Sequence, residues 1–275
     1  MMTVTTVAQR PDFTVSAVTC RDDHRGWAAE TTSEDYRIVL VRRGRFRRRA
    51  DGVAGYVDPS MGYVGVPGEG EEFAHPRGGD LCTAIRVDAA LWTSIAGEDA
   101  ALDRGAVYVD ARLDLAHRRL LATGGDPDYA AAEQLLGLLS GALRQVVAGT
   151  MPSPGSASTD HRLVAMACEA IGAGHPAAGD LLSLAALLEV SPFRLSRAFS
   201  RRLGVSLTHY RNRVRVGWAL DLIEAGETGL AAVAAQLGFA DQAHLGRTVK
   251  RHCGHTPTAL RRLLEPADRI PAVTV

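Results

Sequence analysis

The C-terminal stretch 229–263 predicts two short helices joined by a tight turn. Apolar residues recur at helical spacing in its first half, Gly238 and Phe239 interrupt the pattern, and a second helical run opens at Asp241. Glycine suits the left-handed residue after a helix end, and the Asp241 carboxylate can cap the next helix. The second run points polar and basic side chains outward, and such side chains suit base edges and phosphates. The stretch therefore predicts a helix-turn-helix with a recognition helix.

An upstream segment repeats this arrangement. Ser191 and Pro192 supply an N-cap and a first-turn proline for a helix over 192–203, which Gly204 ends. Between the two patterns, 206–225 reads as one helix of roughly 30 Å, close to the roughly 34–36 Å between successive major-groove faces on one side of DNA. One such run could equally be an amphipathic core helix. Two copies in one small region favour a pair of recognition helices.

The C-terminal pattern is similar to the signature of the AraC/XylS family of transcription regulators. The matching residues are Gly238, Phe239, Asp241, Gln242, Arg247, Lys250, Gly254, Pro257 and Arg261. Four positions where the family carries aromatic residues hold Leu245, Val249, Cys253 and Leu260, which keep an apolar character. The resemblance implies sequence-specific binding to double-stranded promoter DNA, with RNA polymerase as a further partner. Activation is the expected direction of regulation.

Residue roles follow from these positions. For base reading we expect Phe193, Arg194, Ser196 and Arg197 on the first recognition helix, and Gln242, Ala243, His244 and Arg247 on the second. Arg197 and Arg247 are the leading candidates, because arginine bonds bidentately to guanine and both match base-contacting positions of the family. For phosphate contacts we expect Arg201, Arg202, Lys250, Arg251 and Thr256. The alternative for each arginine is a solvated side chain or an ion pair within the domain.

The N-terminal half reads as β structure over residues 12–110. Runs of β-branched and aromatic residues at 36–41, 62–66, 81–87 and 106–109 are separated by Gly, Pro and Asp. Their order resembles the cupin-like sensor domain of many AraC-family members. The expected fold is therefore α+β with two domains: a cupin-like β-barrel with a helical hairpin at 1–150, a linker at 151–159, and an all-α domain with two helix-turn-helix motifs at 160–267.

The usual cupin metal motif is absent, since His75 stands alone with Glu71, Glu72 and Asp80 nearby. The four cysteines, Cys20, Cys82, Cys168 and Cys253, are scattered and predict neither disulfides nor a zinc knuckle. We therefore expect no metal, no cofactor and no enzymatic activity. A cupin enzyme fused to a DNA-binding module is the disfavoured alternative.

A small effector in the barrel is expected from the family resemblance, with His75, Trp27 and Arg45 as candidate contacts. A structural histidine and a packed surface tryptophan are the favoured alternatives for the first two. The arginine-rich run 42–49 alternates on a strand, with Phe46 and Arg48 on one face. A hairpin face solvated or paired with carboxylates is favoured over a DNA-binding arm, and an anion held by these arginines is a third reading.

A helix over 127–148 carries a wide apolar stripe, which must either pack on its own barrel or meet a second chain. Of the two, the family resemblance favours a homodimer through this helix. A DNA-binding regulator with no effector, whose barrel only dimerises, is the other open reading.

Charge is balanced overall but unevenly distributed. Residues 1–155 hold 17 Arg against 21 Asp plus Glu, whereas 156–265 hold 13 Arg plus Lys against 9 Asp plus Glu. This asymmetry fits a protein in which only the C-terminal domain meets nucleic acid. No signal peptide and no apolar run long enough to span a membrane is recognisable, so a cytoplasmic location without a membrane partner is expected.

Overall fold

The computed structural model describes residues 2–29, 33–50, 52–97, 105–122, 130–147, 158–227 and 229–264. The N-terminal half of these residues forms two antiparallel sheets. Their strands are β1 Met2–Gln9, β2 Phe13–Cys20, β3 Ala28–Ala29, β4 Tyr36–Arg43, β5 Phe46–Ala50, β6 Val53–Val57, β7 Met61–Gly65, β8 Glu71–Ala74, β9 Asp80–Val87 and β10 Ala106–Tyr108. One sheet has the order β1-β2-β9-β4-β7-β10, and the other has the order β3-β8-β5-β6.

The four predicted strand runs are confirmed as β4, β7, β9 and β10. Two elements differ from the prediction. Strand β1 lies before residue 12 and pairs with β2 as a hairpin. A helix, α1 Ala89–Ala96, interrupts the predicted β region, because the Asp88 carboxylate accepts a hydrogen bond from the backbone N–H of Leu91 and caps it.

The remaining helices are α2 Ala111–Ala122, α3 Ala130–Val147, α4 Ser158–Gly172, α5 Leu181–Leu187, α6 Pro192–Leu203, α7 Leu207–Glu224, α8 Leu230–Gln236, α9 Gln242–Cys253 and α10 Pro257–Leu264. A 3₁₀ turn, Pro176–Gly179, precedes α5. Helix α4 begins at Ser158, so the last two residues of the expected linker are helical and Asp160 lies in the first turn rather than at the cap. The rest of that linker lies outside the described residues.

The apolar stripe of α3 packs on its own sheet. Its side chains Leu135, Leu138, Leu139, Ala142 and Leu143 are buried in one cluster with residues of β2, β4, β7 and β9. The expectation of a homodimer through this stripe is therefore wrong, because these side chains are already buried within one chain. Of the two further positions in the predicted stripe, 146 and 147, the structure describes no side chains.

Helix α7 is buried on more than one side. Its apolar residues Val216, Ala219 and Leu220 pack on α8, α9 and α10, while Tyr210 packs on α4 and α6. The sequence pattern predicts a single apolar stripe on this helix, formed by Tyr210, Val214, Trp218, Leu222 and Ile223. In the structure Arg213 and Arg215 are also buried. The N-terminal half covers Arg213, whose N–H groups donate to the Val109 and Pro59 carbonyls, whereas the turn between α8 and α9 covers Arg215. None of the helices in the described part of the chain is long and apolar enough to cross a bilayer.

Candidate nucleic-acid interface

Helix α6 presents a polar face because its apolar residues lie on the opposite side. The Ser191 hydroxyl accepts a hydrogen bond from the Arg194 N–H at 3.2 Å, and Gly204 ends the helix in the left-handed conformation with φ 70°. Leu195, Ala198, Phe199 and Leu203 are buried. Of the predicted base-reading residues, Phe193, Arg194 and Arg197 are exposed and Ser196 is half-buried.

Phe193 and Arg197 form a pair on this face. The Phe193 ring is 69% exposed, and the Arg197 guanidinium carbon lies 5.2 Å from the ring centroid. This cation–π contact holds the arginine one helical turn from Phe193 and limits its rotamers. An exposed phenylalanine offers apolar contact to a thymine methyl, and the arginine offers two parallel donors to guanine.

Asp160 lies beside the basic side chains of α6. Its carboxylate oxygens lie 3.3 Å from Arg201 and 4.0 Å from Arg194. Both guanidinium groups are about half exposed, so these pairs stabilise the chain little and can exchange the carboxylate for a phosphate. The structure thus keeps Arg201 available for the predicted phosphate contact.

Arg202 does not lie on the same face. Its guanidinium contacts the His161 Nδ1 atom at 3.0 Å and lines a cavity of about 410 Å³ together with residues of β6 and β7. In this arrangement the Arg202 side chain points toward the N-terminal half, so the structure gives no support to the phosphate contact expected for it. The helical periodicity of the sequence shows which residues point away from the core of their own domain, but it does not show whether those residues face solvent or a second domain.

Helix α9 presents a second polar face. The Asp241 carboxylate caps it by accepting the His244 N–H at 2.6 Å, and Gly238 before it has φ 68°. Leu245, Val249 and Cys253 are buried, as the sequence predicts. The exposed side chains on the other side are Gln242, Ala243, Arg247, Lys250 and Arg251.

His244 and Thr256 have structural contacts of their own. The His244 ring is half-buried, lies edge-on to Phe239 with 5.3 Å between ring centroids, and its Nδ1 atom accepts the Ala240 N–H at 3.4 Å. The Thr256 hydroxyl oxygen accepts the Ala259 N–H at 3.2 Å and caps α10. Each side chain therefore has one polar atom that already accepts a hydrogen bond from the protein backbone.

Arg215 supports the turn between α8 and α9. Its Nε donates to the Leu237 carbonyl at 2.8 Å, and its guanidinium carbon lies 3.7 Å from the centroid of the Phe239 ring. Burial lowers the pKa of Arg215 to about 10. The residue lies in the middle of α7, where no local sequence pattern distinguishes it from the other arginines of the helix.

A buried ion-pair network joins the two halves of the chain at the face of α7. Asp114 on α2 lies 3.0 Å from Arg118 and 3.4 Å from Arg213 of α7. Burial by itself raises the pKa of Asp114, but Arg213 and Arg118 outweigh it and hold the value at about 2. Arg213 also donates to the carbonyls of Val109 at 2.6 Å and Pro59 at 2.9 Å.

A cavity of about 470 Å³ opens at this junction. Its lining includes Arg42, Arg43, Arg45, Asp58, Asp114, Arg118, Tyr210, Arg213 and Trp218, drawn from both halves. Most of these arginines have acidic partners: Arg42 pairs with Glu224 at 2.7 Å, and Arg118 pairs with Asp221 at 2.8 Å. Arg43 is exposed and has no such partner in the described part of the chain.

The three predicted effector residues have different partners within the protein. Arg45 donates to Glu169 of α4 at 3.0 Å and lines the junction cavity. Trp27 lies beneath the guanidinium groups of Arg47 and Arg49, whose carbons are 4.6 and 4.5 Å from its ring. His75 is buried elsewhere, with its Nε2 atom 3.0 Å from Asp80. Neither cavity described here is lined by all three residues, and their contact with an effector stays a prediction.

The arginine-rich strand β5 is paired rather than free. Phe46 is buried, and Arg48 donates to Glu71 at 2.5 Å and to Glu69 at 2.6 Å. Arg49 donates to Glu72 at 2.5 Å. The favoured reading, a hairpin face neutralised by carboxylates, is confirmed for Arg48 and Arg49.

Comparison with known proteins agrees with the placement of these helices. A model of a helix-turn-helix domain family matches residues 184–263, from α5 into α10. The arabinose operon regulatory proteins of Salmonella typhimurium and Escherichia coli are both 33% identical to this chain over 82 residues. Residues 184–263 thus carry a helix-turn-helix domain of the AraC type. The alignment covers 30% of this chain and 29% and 28% of the two regulators, so it spans less than a third of the length of these relatives.

The similar solved structures have a lower sequence identity to this chain. ToxT of Vibrio cholerae, solved with an unsaturated fatty acid, is 12% identical with a TM-score of 0.38, covering 94% of this chain and 98% of its own. The C-terminal domain of AraT, a response regulator of Geobacillus stearothermophilus, is 28% identical with a TM-score of 0.35, covering 41% of this chain and 91% of its own.

Proposed function

We propose that this protein is a sequence-specific DNA-binding transcription regulator. In this proposal α5–α6 and α8–α9 are two helix-turn-helix motifs, and α6 and α9 enter the major groove. The observation that carries it is the pair of helices within 184–263 whose apolar backs are buried and whose outer faces expose Arg197 and Arg247. Both faces stay accessible in the full chain, although the N-terminal half packs on α7.

Helix α7 sets the distance between the two motifs. Its 18 residues span roughly 27 Å at 1.5 Å per residue, somewhat less than the roughly 34–36 Å of one DNA turn. A rigid rod slightly shorter than the groove spacing favours binding to DNA that bends toward the protein. We therefore expect two short sequence elements about one helical turn apart.

Contacts divide into base reading and backbone contact. Arg197 and Arg247 read guanine, Gln242 suits adenine, and Phe193 suits a thymine methyl. Arg194, Ser196, Ala243 and the half-buried His244 complete the two reading faces as secondary contacts. Arg201, Lys250 and Arg251 lie further along each helix and contact phosphates, with the Thr256 hydroxyl as an additional donor.

The N-terminal half acts as a cupin-like sensor domain in this proposal, and its effector binds at the junction cavity rather than in a barrel interior. Arg43 supplies a cation with no acidic partner in the described residues, and Trp218 supplies an aromatic face in the same cavity. These groups suit a small anion with an apolar portion. Because the cavity touches α7, occupancy would bias how the two motifs are held. Activation in contact with RNA polymerase and a homodimeric state rest on the family resemblance alone.

Selection of bound sequences from a random DNA pool tests the DNA-binding proposal. We expect wild type to enrich two elements, with Arg197→Ala relaxing one and Arg247→Ala relaxing the other, each by about 1–3 kcal/mol of discrimination. Arg112→Ala, an exposed arginine on α2, serves as the control and should leave both elements unchanged. Loss of both elements in either single variant would contradict the assignment of one element to each helix.

A second arm of the selection adds a small-molecule extract of cells. If wild type changes its enrichment with the extract, Arg43→Ala should abolish that response while keeping the sequence elements. An identical response in Arg43→Ala would place the effector elsewhere. No enriched element with or without extract would overturn the regulator proposal itself.

A further inference from the structure

Three side chains that are far apart in the sequence meet at one end of the six-stranded sheet. Cys20 is the last residue of β2 and Asp80 is the first residue of β9, and the two are directly opposite in the antiparallel register. His75 follows β8 and enters the same corner. Thiol, imidazole and carboxylate are the donor groups that bind zinc in proteins.

The geometry of this cluster fits one cation. One ligand atom from each residue lies within 4.8 Å of the other two, and all three residues are buried. The Nε2 atom of His75 lies 3.0 Å from Oδ1 of Asp80. A tetrahedral ion with bonds of about 2.0–2.3 Å places its donors about 3.3–3.8 Å apart, so small side-chain shifts would complete the coordination.

Two buried atoms of the cluster lack partners. His75 Nδ1 and Asp80 Oδ1 have no hydrogen bond within the described chain, although Asp80 lies at ion-pair distance from the other ring nitrogen. Buried polar groups are normally satisfied, so an Asp80 oxygen without a hydrogen bond, beside a buried thiol and imidazole, points to a missing ligand. The His24 ring lies beside them, with its centroid 5.0 Å from that of His75.

We propose that Cys20, His75 and Asp80 bind a zinc-class transition metal ion, with water in the fourth position. We assign this site no catalytic role, since its residues line neither cavity described above. The sequence predicted no metal because the ligands come from three separate strand ends and follow no short spacing motif.

Such a site would act on the junction between the two halves of the chain. The β8–β9 loop runs from His75 to Asp80, so metal ligands hold both of its ends, and between them Arg77 forms an ion pair with Glu169 of α4. Glu169 also accepts from Arg45 in the β4–β5 turn. Metal binding would therefore fix the loop that carries one of the contacts to the DNA-binding region.

The test uses the full chain without a histidine tag, treated with chelator and then titrated with Co²⁺ as a spectroscopic substitute for Zn²⁺. We expect one equivalent to bind, with a thiolate-to-cobalt charge-transfer band and tetrahedral visible absorption. Elemental analysis after reloading with Zn²⁺ should give the same stoichiometry. Failure of wild type to retain either ion would overturn the site and leave the DNA-binding proposal untouched.

Variants identify the ligands. Cys20→Ala should remove the charge-transfer band. Asp80→Asn should weaken Co²⁺ binding by more than about 100-fold, because losing a residue that only hydrogen-bonds to a metal ligand already costs about 10- to 100-fold in affinity. Cys82→Ala, a buried cysteine on β9 outside the cluster, is the matched control and should bind like wild type. Circular dichroism of each metal-free variant verifies folding. If folded Cys20→Ala or Asp80→Asn binds Co²⁺ as wild type does, the assignment is wrong.

Discussion

Arg213 is 2% exposed, which is unusual for a residue that always carries a charge. Burial is tolerated because Asp114 neutralises it and two carbonyls of the N-terminal half accept its N–H groups. From the sequence alone, Arg213 is one of several arginines on α7. Its carbonyl partners lie 104 and 154 residues away in the sequence, so no local pattern could have identified it.

Buried histidines give the chain a pH dependence. Burial lowers the pKa of His117 to about 3, and its Nε2 atom lies 2.7 Å from the Thr83 hydroxyl. In the unfolded chain the same ring takes up a proton near its ordinary value of 6.5. The unfolded state therefore binds more protons between these values, and the free energy of unfolding falls as pH drops through that window.

We expect His117→Gln to flatten this profile by up to about 1.4 kcal/mol per pH unit. Urea unfolding at several pH values between about 7 and 4 measures the slope. His255→Gln, at an exposed histidine, is the control and should keep the wild-type slope. Parallel profiles for wild type and His117→Gln would show that this histidine is already protonated in the folded protein, contrary to its burial.

Among the elements, the helices of the C-terminal region were the most predictable. Ser191, Pro192 and Gly204 mark the ends of α6 as the structure has them, because caps act through local hydrogen bonds. Strand β1 and helix α1 were missed, although a capping aspartate precedes α1. Burial of α7 on several sides was also missed, since its second face depends on the N-terminal half.

Alanine substitutions at Gly217 and Gly246 distinguish the effect of helix propensity on stability from the effect of packing. A Cβ at Gly217 would lie 2.8 Å from the Arg213 guanidinium, which three partners hold in place, whereas nothing lies within 4 Å at Gly246. We expect Gly246→Ala to stabilise the protein by about 0.8–1 kcal/mol. Gly217→Ala should destabilise it by about 1–3 kcal/mol through overpacking.

Urea unfolding of both variants, each against wild type, gives the two free energies. Equal stabilisation in Gly217→Ala would mean that Arg213 moves at no cost and that the junction is loosely packed. Thermal unfolding of the same samples provides an independent ranking of the stabilities of the two variants.

For the whole molecule, the two halves share their cores. Tyr108 of β10 packs with residues of α4, α6 and α7, and Leu115 of α2 packs with residues of α8, α9 and α10. The sequence suggested two domains with a linker between them, which is the natural reading of a change in pattern. Shared clusters arise from tertiary docking, which composition and periodicity do not encode.

Shared cores predict one cooperative unfolding transition for the full chain. If each half were independent, scanning calorimetry would resolve two transitions, but side chains common to both clusters couple their unfolding. Leu115→Ala should lower the single transition as a whole, with a loss of about 2–5 kcal/mol from the buried cavity. Leu182→Ala, at an exposed position of α5, should stay within about 0.5 kcal/mol of wild type. Two resolved transitions, with only one shifted by Leu115→Ala, would show that the halves fold independently and that an effector at the junction acts on loosely docked domains.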